Sequence, residues 1–480
     1  MRTAARRHQP HHRSAHARAA RRQPRCWRRR HHRRGPRTHR RRHCPRCYRL
    51  ALLRGRLAAP RLPDPVGVAN VTTDAATPAA LDGITVLDLT AHIAGPYSTK
   101  LLADLGARVI KVERPGGDPI RGAGPWLNDE PGIERSGSYQ FLNTNKESVV
   151  LDLKSEGGRE VLERLLPGAD VVVTSYPPAV AERLNLTPDA LREVADVNVL
   201  SLTNFGWGGP YRDYALSETV LFAMGGEMFS HGSVGREPLK MGGTASLIQC
   251  GAMAAIGALG AVCTTEVHDI TQRVDVSLFD VQLNSVDRRS SAIMAYRFSG
   301  RINAKPEVAG PSTGAGVVGV FPCADGYVEM TASAGPYWHR FAEMIDHPEF
   351  KDPKWMDPEW MNSDAAREEV DVALYPWLAE RTRAEIWEAA RDAHAILAPL
   401  FTAADLFEDP VFRERGLWTE VEHETLGKFP MLGRPYMLGE TPWAIRRAAP
   451  TLGEHTDAIL EEAGYDAAAV AGLRREEAVA

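Results

Sequence analysis

The chain has 480 residues, and its formal charge of −3 averages two unlike parts. Residues 1–65 hold 22 of the 58 Lys+Arg residues with Asp64 as their one acid, leaving 36 basic against 60 acidic residues in the remainder. So acidic a body argues against a nucleic-acid enzyme. Only Cys250, Cys263 and Cys323 lie beyond Leu50, which excludes a disulfide framework and points to a reduced, cytoplasmic setting.

A segment so rich in Arg, His and Pro cannot bury a core, and residues 1–78 are expected to be disordered. Three readings of it stand: a phosphate-neutralising arm, an Arg-rich transit peptide, or GC-rich upstream sequence translated from too early a start. The third accounts best for the composition, with Val66, Val68 or Val71 marking the true start. Cys44-Pro-Arg-Cys47 is a lone CxxC without a second pair at ligand spacing, so no metal is expected.

Ile84–Leu89 is a short apolar run suited to a buried parallel strand. Thr90, Gly95 and Pro96 supply a turn, Ser98–Leu105 carries apolar residues at helical spacing, and Gly106 ends that helix before a strand at Val109–Val112. Further strands are expected at Ser148–Leu153, Val171–Thr174, Val197–Leu202 and Val274–Leu278, with helices at Glu156–Leu166 and Pro188–Val194. Strands and helices alternating in this way predict an α/β fold with a Rossmann-like, doubly wound parallel sheet. The first turn lacks G-x-G-x-x-G, so a nicotinamide or flavin cofactor has no support. Leu247–Val262 is mostly Ala and Gly and reads as a packed core helix, too short and too weak to span a membrane. Gly300–Thr313 reads as a linker, Gly316–Thr331 as a hairpin around Ala324-Asp325-Gly326, and Pro336–Ala393 as the helices of a smaller α+β domain.

The blocks LDGITVLDLT, AGPYSTKLLADLGARVIKVERPGGD, NTNKESVVLDLKSEGG, GGPYRDY, RVDVSLFD, CADGYVEMTA, EDPVFRERG and LGEHTD occur in that order between Leu81 and Gly464. In them the chain resembles the family III CoA-transferases (CaiB/BaiF type), which include formyl-CoA and carnitine-CoA transferases and α-methylacyl-CoA racemases. The resemblance implies a CoA-binding large domain over 79–290, a smaller domain over 300–425 and a segment over 426–470 that returns to the large domain. It also implies an interlocked dimer, with an acyl-CoA and a carboxylic acid as substrates and neither nucleic acid nor membrane as a partner.

Coenzyme A needs cations for its phosphates, backbone donors at a helix N-terminus and an apolar slot. Ala94-Gly95-Pro96 opens the first helix at the expected crevice, Arg114 follows the second strand, and Arg183 lies in a helix after Ser175 and Tyr176. The resemblance matches these to CoA-contacting positions and Leu151 to one near the adenine. Ala91 and Ile93 stand where other members have His and Gln, and Ala215 where some have Lys. Lys146 also falls in a family block, but a lone lysine at a strand start reads as solvated.

Family III transferases use an Asp that attacks the donor thioester, forming an acyl-aspartyl anhydride and then an aspartyl-CoA thioester. Anchoring on Gly251 places Leu247 at that Asp position, and no residue between Lys240 and Val262 is acidic, so a shifted alignment recovers no carboxylate. Glu218 matches a second acidic position and is the one credible catalytic carboxylate; Ser246, Cys250 and Ser217 have ordinary packing explanations, and Glu227 and Glu237 read as solvated. Ser217 replaces the histidine of the racemases, which excludes racemisation. Three outcomes stay open. The chain transfers CoA with Glu218 as its carboxylate, or it is a non-catalytic subunit paired with an Asp-containing sister chain, or a CoA-binding protein without transfer activity.

Overall fold

The computed structural model describes residues 78–232, 236–285, 287–302, 316–332 and 335–480. The Arg-rich segment and most of the Gly300–Thr313 linker lie outside these residues, and the readings attached to them do too.

Six strands, β1 (Thr85–Leu89), β2 (Arg108–Glu113), β3 (Lys146–Val150), β4 (Val171–Thr174), β5 (Asn198–Thr203) and β6 (Arg273–Ser277), form one parallel sheet in the order β3-β2-β1-β4-β5-β6. The sheet is apolar on both faces because alternate residues of each strand feed different cores. Leu87, Leu89, Ile110, Val149 and Val172 pack on one side. Val86, Val109, Val171, Val173 and Leu200 pack on the other. The chain runs outward from β1 to β2 and β3, then returns to β4 on β1's other side, so a crevice opens between the C-terminal ends of β1 and β4.

The helices that cover the sheet are α1 (Ala94–Asp104), α2 (Gly137–Leu142), α3 (Glu156–Leu165), α4 (Pro178–Leu184), α5 (Pro188–Val194), α6 (Glu218–Met224), α7 (Glu227–Ser230) and α8 (Ala245–His268). Several begin where a hydroxyl takes up a first-turn amide: Ser155 accepts from Gly158 N, Thr187 from Ala190 N and Ser217 from Val220 N. The 24 residues of α8 exceed the apolar run read from the sequence, and the helix is long and apolar enough to cross a membrane. Here Cys250, Ala254, Ala258 and Val262 of that helix join the core beneath β4 and β5.

The third strand begins and ends earlier than the sequence predicts. Val150 is its last residue; Leu151 still donates its amide to Glu113 O but bridges Val479 on its other side, and Asp152 N donates to Ala478 O. The C-terminal segment thereby seals the sheet, with Ile459, Leu460, Leu473 and Val479 in the same core as Leu87 and Val149.

Beyond the linker, β7 (Val317–Cys323), β8 (Gly326–Ala332) and β9 (Leu397–Pro399) form an antiparallel sheet, and β7 and β8 turn at Ala324-Asp325 where the hairpin was expected. Trp338, Phe341, Phe350 and Trp355 fill a second, aromatic core between this sheet and the helices after it. A last hairpin pairs Trp418–His423 with Gly427–Leu432.

Candidate functional site

The turn from β1 into α1 forms one wall of the crevice. Gly95 lies so close to Thr90 that a Cβ on it would sit 2.3 Å from Thr90 Cβ, and only glycine fits. Ala94, Gly95 and Pro96 are buried in the first turn of α1, His92 is exposed, and Ala91 and Ile93 are half-buried, Ile93 against the cluster of Ile120, Tyr139 and Leu142. His92 adopts a left-handed conformation at φ 69° and donates its amide to Asp118 Oδ1, and Ala91 donates to Ser175 Oγ at 3.0 Å. Ser175, at the end of β4, thus closes across the crevice onto the turn. Ser175 bonds the turn at Ala91 rather than at Ala94-Gly95-Pro96, and the exposed residue of the turn is His92.

Beneath this turn lies a buried ionic cluster. Lys146, expected in solvent, is 0% exposed and donates to Asp88 Oδ2, Pro96 O and Asn143 Oδ1, each at 2.9 Å. Its side chain reaches inward from the edge strand β3 to Asp88 on β1, two strands away, and that pairing overrides the usual preference of lysine for water. Burial brings its pKa down to about 8, against the attraction of Asp88, which opposes that shift. Asp88 is held well below the usual carboxylate range, because Lys146 and Lys111 outweigh the burial that would raise it. Lys111 pairs with Asp118 at 2.9 Å and donates to Thr90 O. Further along, Arg121 bonds both oxygens of Glu113 at 2.8 Å.

The cations read from the sequence are on the surface. Arg114 is exposed, its Nε 3.0 Å from Gly117 O, while its neighbour Glu113 is taken by Arg121. Arg183 is exposed in the last turn of α4, and its neighbour Glu182 pairs with Arg212. Tyr176 is half-buried beside Ser175; burial pushes its phenol pKa up, and Lys111 and Arg114 act on it in the opposite sense. Leu151 is 1% exposed and packed in the core at its bridge to Val479, which leaves no side-chain surface there for an adenine.

A second cluster sits at the start of α8. Leu247 is the third residue of that helix and packs against the core beneath β4 and β5. Glu218, the first residue of α6, reaches the same helix end: its Oε1 accepts from Ser246 N at 3.2 Å and its Oε2 from Lys240 Nζ at 2.9 Å. Lys240 also donates to Met241 O and Gly243 O at 2.7 and 2.8 Å. The carboxylate therefore fills the anion-favouring end of α8. Lys240 played no part in the sequence reading; nothing along the chain pairs it with a glutamate 22 positions earlier. Cys250, one turn into α8, has its thiol pushed up to about 12 by burial and by Glu218, which makes it no nucleophile. Glu227, expected in solvent, is 3% exposed and 2.8 Å from His231 Nε2, because α7 folds it inward. Among the described residues no group of three or more His, Cys, Asp or Glu side chains is placed to hold a metal ion.

Residues 81–456 match the model of CoA-transferase family III. The chain belongs to this family. It is 32% identical over 407 residues to the succinyl-CoA:(R)-benzylsuccinate CoA-transferase subunit BbsE of Thauera aromatica, covering 82% of this chain and 97% of that one. It is equally 32% identical over 407 residues to the formyl-CoA:oxalate CoA-transferase of Rhodopseudomonas palustris (strain BisA53), covering 80% and 93%. Among solved structures, a CaiB/BaiF family protein from Brucella suis superposes with a TM-score of 0.70 at 26% identity, covering 80% of this chain and all of that one.

Proposed function

We propose that this chain is the non-catalytic half of a cytoplasmic, heteromeric CoA-transferase. It binds coenzyme A in the β1/β4 crevice, with Arg114 and Arg183 for its phosphates and Ser175 and Tyr176 beside the pantetheine, and an Asp-containing sister chain carries out the transfer between an acyl-CoA and a carboxylic acid. The observation that carries this reading is the occupancy of the α8 N-terminus. Leu247 turns into the core there, and Glu218, the one carboxylate nearby, is spent on Lys240 and the Ser246 amide. A carboxylate that must attack a thioester carbonyl needs a free lone pair and room to approach.

Two further observations support it. One relative of near-identical extent bears the word subunit in its name. Met253, Ile256 and Val267 of α8 and Tyr296 and Phe298 of the helix Asp287–Ser299 are exposed, apolar surface that suits an intimate, interlocked partner chain. The large domain (79–290), the smaller domain (300–425) and the returning segment (426–470) would then each contribute to that assembly.

Native mass spectrometry of the chain purified from its own host tests the proposal. A mixed species with a second chain and bound CoA is expected. A pure homodimer that transfers CoA, and loses that activity in Glu218→Gln, would overturn it and assign the nucleophile to Glu218.

A further inference from the structure

Resting on the reading of the β1/β4 crevice as a CoA site, we infer that the buried Asp88–Lys146 pair is a positioning device that fixes the β1–α1 turn for the diphosphate of coenzyme A. Both residues are 0% exposed, so neither touches a ligand in the crevice. Their bonds nevertheless converge on the turn from below. Asp88 Oδ1 accepts from Thr90 N at 3.0 Å and from Thr90 Oγ1 at 2.5 Å, where the turn begins. Asp88 Oδ2 accepts from Thr99 Oγ1 at 2.6 Å, inside α1. Lys146 Nζ spans from Asp88 to Pro96 O, which lies between those two points. Entry, middle and exit of the segment Thr90–Thr99 are therefore tied to one ion pair.

The pair has a geometric consequence. Thr90, held by Asp88, fills the space that a side chain at Gly95 would need, so the turn cannot widen toward the core. The left-handed backbone of His92 then follows, with Ala91 and His92 spending their amides on Ser175 and Asp118 where the chain enters α1. Amide donors of a helix N-terminus bind phosphate well only when their directions are set in advance. A hydrophobic pair of similar volume would fold at least as well as a buried ion pair, but it would not aim hydrogen bonds at three points of one turn.

The test separates positioning from folding. In Asp88→Asn/Lys146→Met both charges are removed together, so no buried charge is left unpaired, and Thr99→Val removes one bond without changing volume. Binding of CoA and of pantetheine, which has no phosphates, is measured by isothermal titration calorimetry on the purified full chain, with thermal melting in parallel. The expected result is a loss of CoA affinity of tenfold or more in the double variant and of about threefold in Thr99→Val, with pantetheine affinity and melting temperature close to wild type. Unchanged CoA affinity in a folded double variant, or equal losses for CoA and pantetheine, would overturn the inference while leaving the CoA site standing. A wild-type chain that binds pantetheine but gains nothing from the phosphates of CoA would overturn both.

Discussion

Lys240 Nζ lies 2.9 Å from Oε2 of Glu218 and within 2.8 Å of Gly243 O, so one ammonium group clasps the glycine turn before α8 onto the carboxylate at that helix's start. Glu218 is 10% exposed and Lys240 25%, a setting in which a charged hydrogen bond contributes more than at an open surface.

Replacing Lys240 by Met should therefore loosen the start of α8. Chemical denaturation is expected to show a loss of about 1–3 kcal/mol, since Glu218 keeps only the Ser246 amide. Glu218→Gln keeps one acceptor oxygen and turns an NH2 toward the other donor, so it should cost at least as much as Lys240→Met. The reverse order would mean that Glu218 carries an unrelieved charge rather than serving the clasp.

Arg121 is among the most heavily bonded side chains of the described residues. Only 1% exposed, it bonds Glu113 twice, Glu134 at 2.6 Å, the Tyr139 hydroxyl and Pro450 O. Arg121→Met leaves Glu113 charged and buried, and a loss of about 3–5 kcal/mol is expected by urea denaturation. Adding Glu113→Gln should recover part of that loss. A double variant less stable than the single one would contradict the charge argument.

Acid should weaken the fold in a defined window. Burial would raise the Glu113 pKa, but Arg121 and Lys111 bring it down to about 2 from 4.5. A carboxyl depressed in the folded state contributes stability that is complete above the unfolded pKa and lost as pH falls through the folded one. For Glu113 the loss runs from about pH 4.5 to about pH 2 and amounts to about 3 kcal/mol. Asp88, also held below its ordinary 3.8, adds a loss of the same sign that begins at lower pH. Urea midpoints measured at pH 7, 4 and 3 should fall more steeply for wild type than for Arg121→Met/Glu113→Gln. Parallel curves would mean that Glu113 is not ionised in the folded chain.

A methyl group at Gly251 should separate α8 from α1. Its Cβ would lie 2.4 Å from Ala94 O and 3.1 Å from Tyr97 Cβ, a backbone clash that no rotamer relieves. Gly251→Ala is expected to lower stability by about 1–3 kcal/mol and to weaken CoA binding through displacement of the β1–α1 turn. Gly260→Ala, where nothing lies within 4 Å of the new atom, is the control, and equal melting temperatures for the two variants would refute the packing argument.

Strand and helix order were legible in one dimension because local pattern suffices for them. Val171–Thr174 and Pro188–Val194 stand where their apolar runs and flanking turn residues put them, and the absence of any acid between Lys240 and Val262 is a fact of sequence alone. Family membership was equally readable, since it rests on ordered motifs. The fates of the charged side chains were not. Lys146 and Glu227 carry the local signature of solvated residues, yet both are buried: Asp88 reaches Lys146 from a strand 58 positions away, and Glu227 meets His231, four residues on, where a short helix turns inward. Leu151, just past the end of β3, bridges Val479 at the far end of the chain. A hydrophobic pattern is set by neighbours three or four residues apart, so sequence determines it. The ionisation and accessibility of a side chain depend on which distant groups replace its water, and only the tertiary structure decides that.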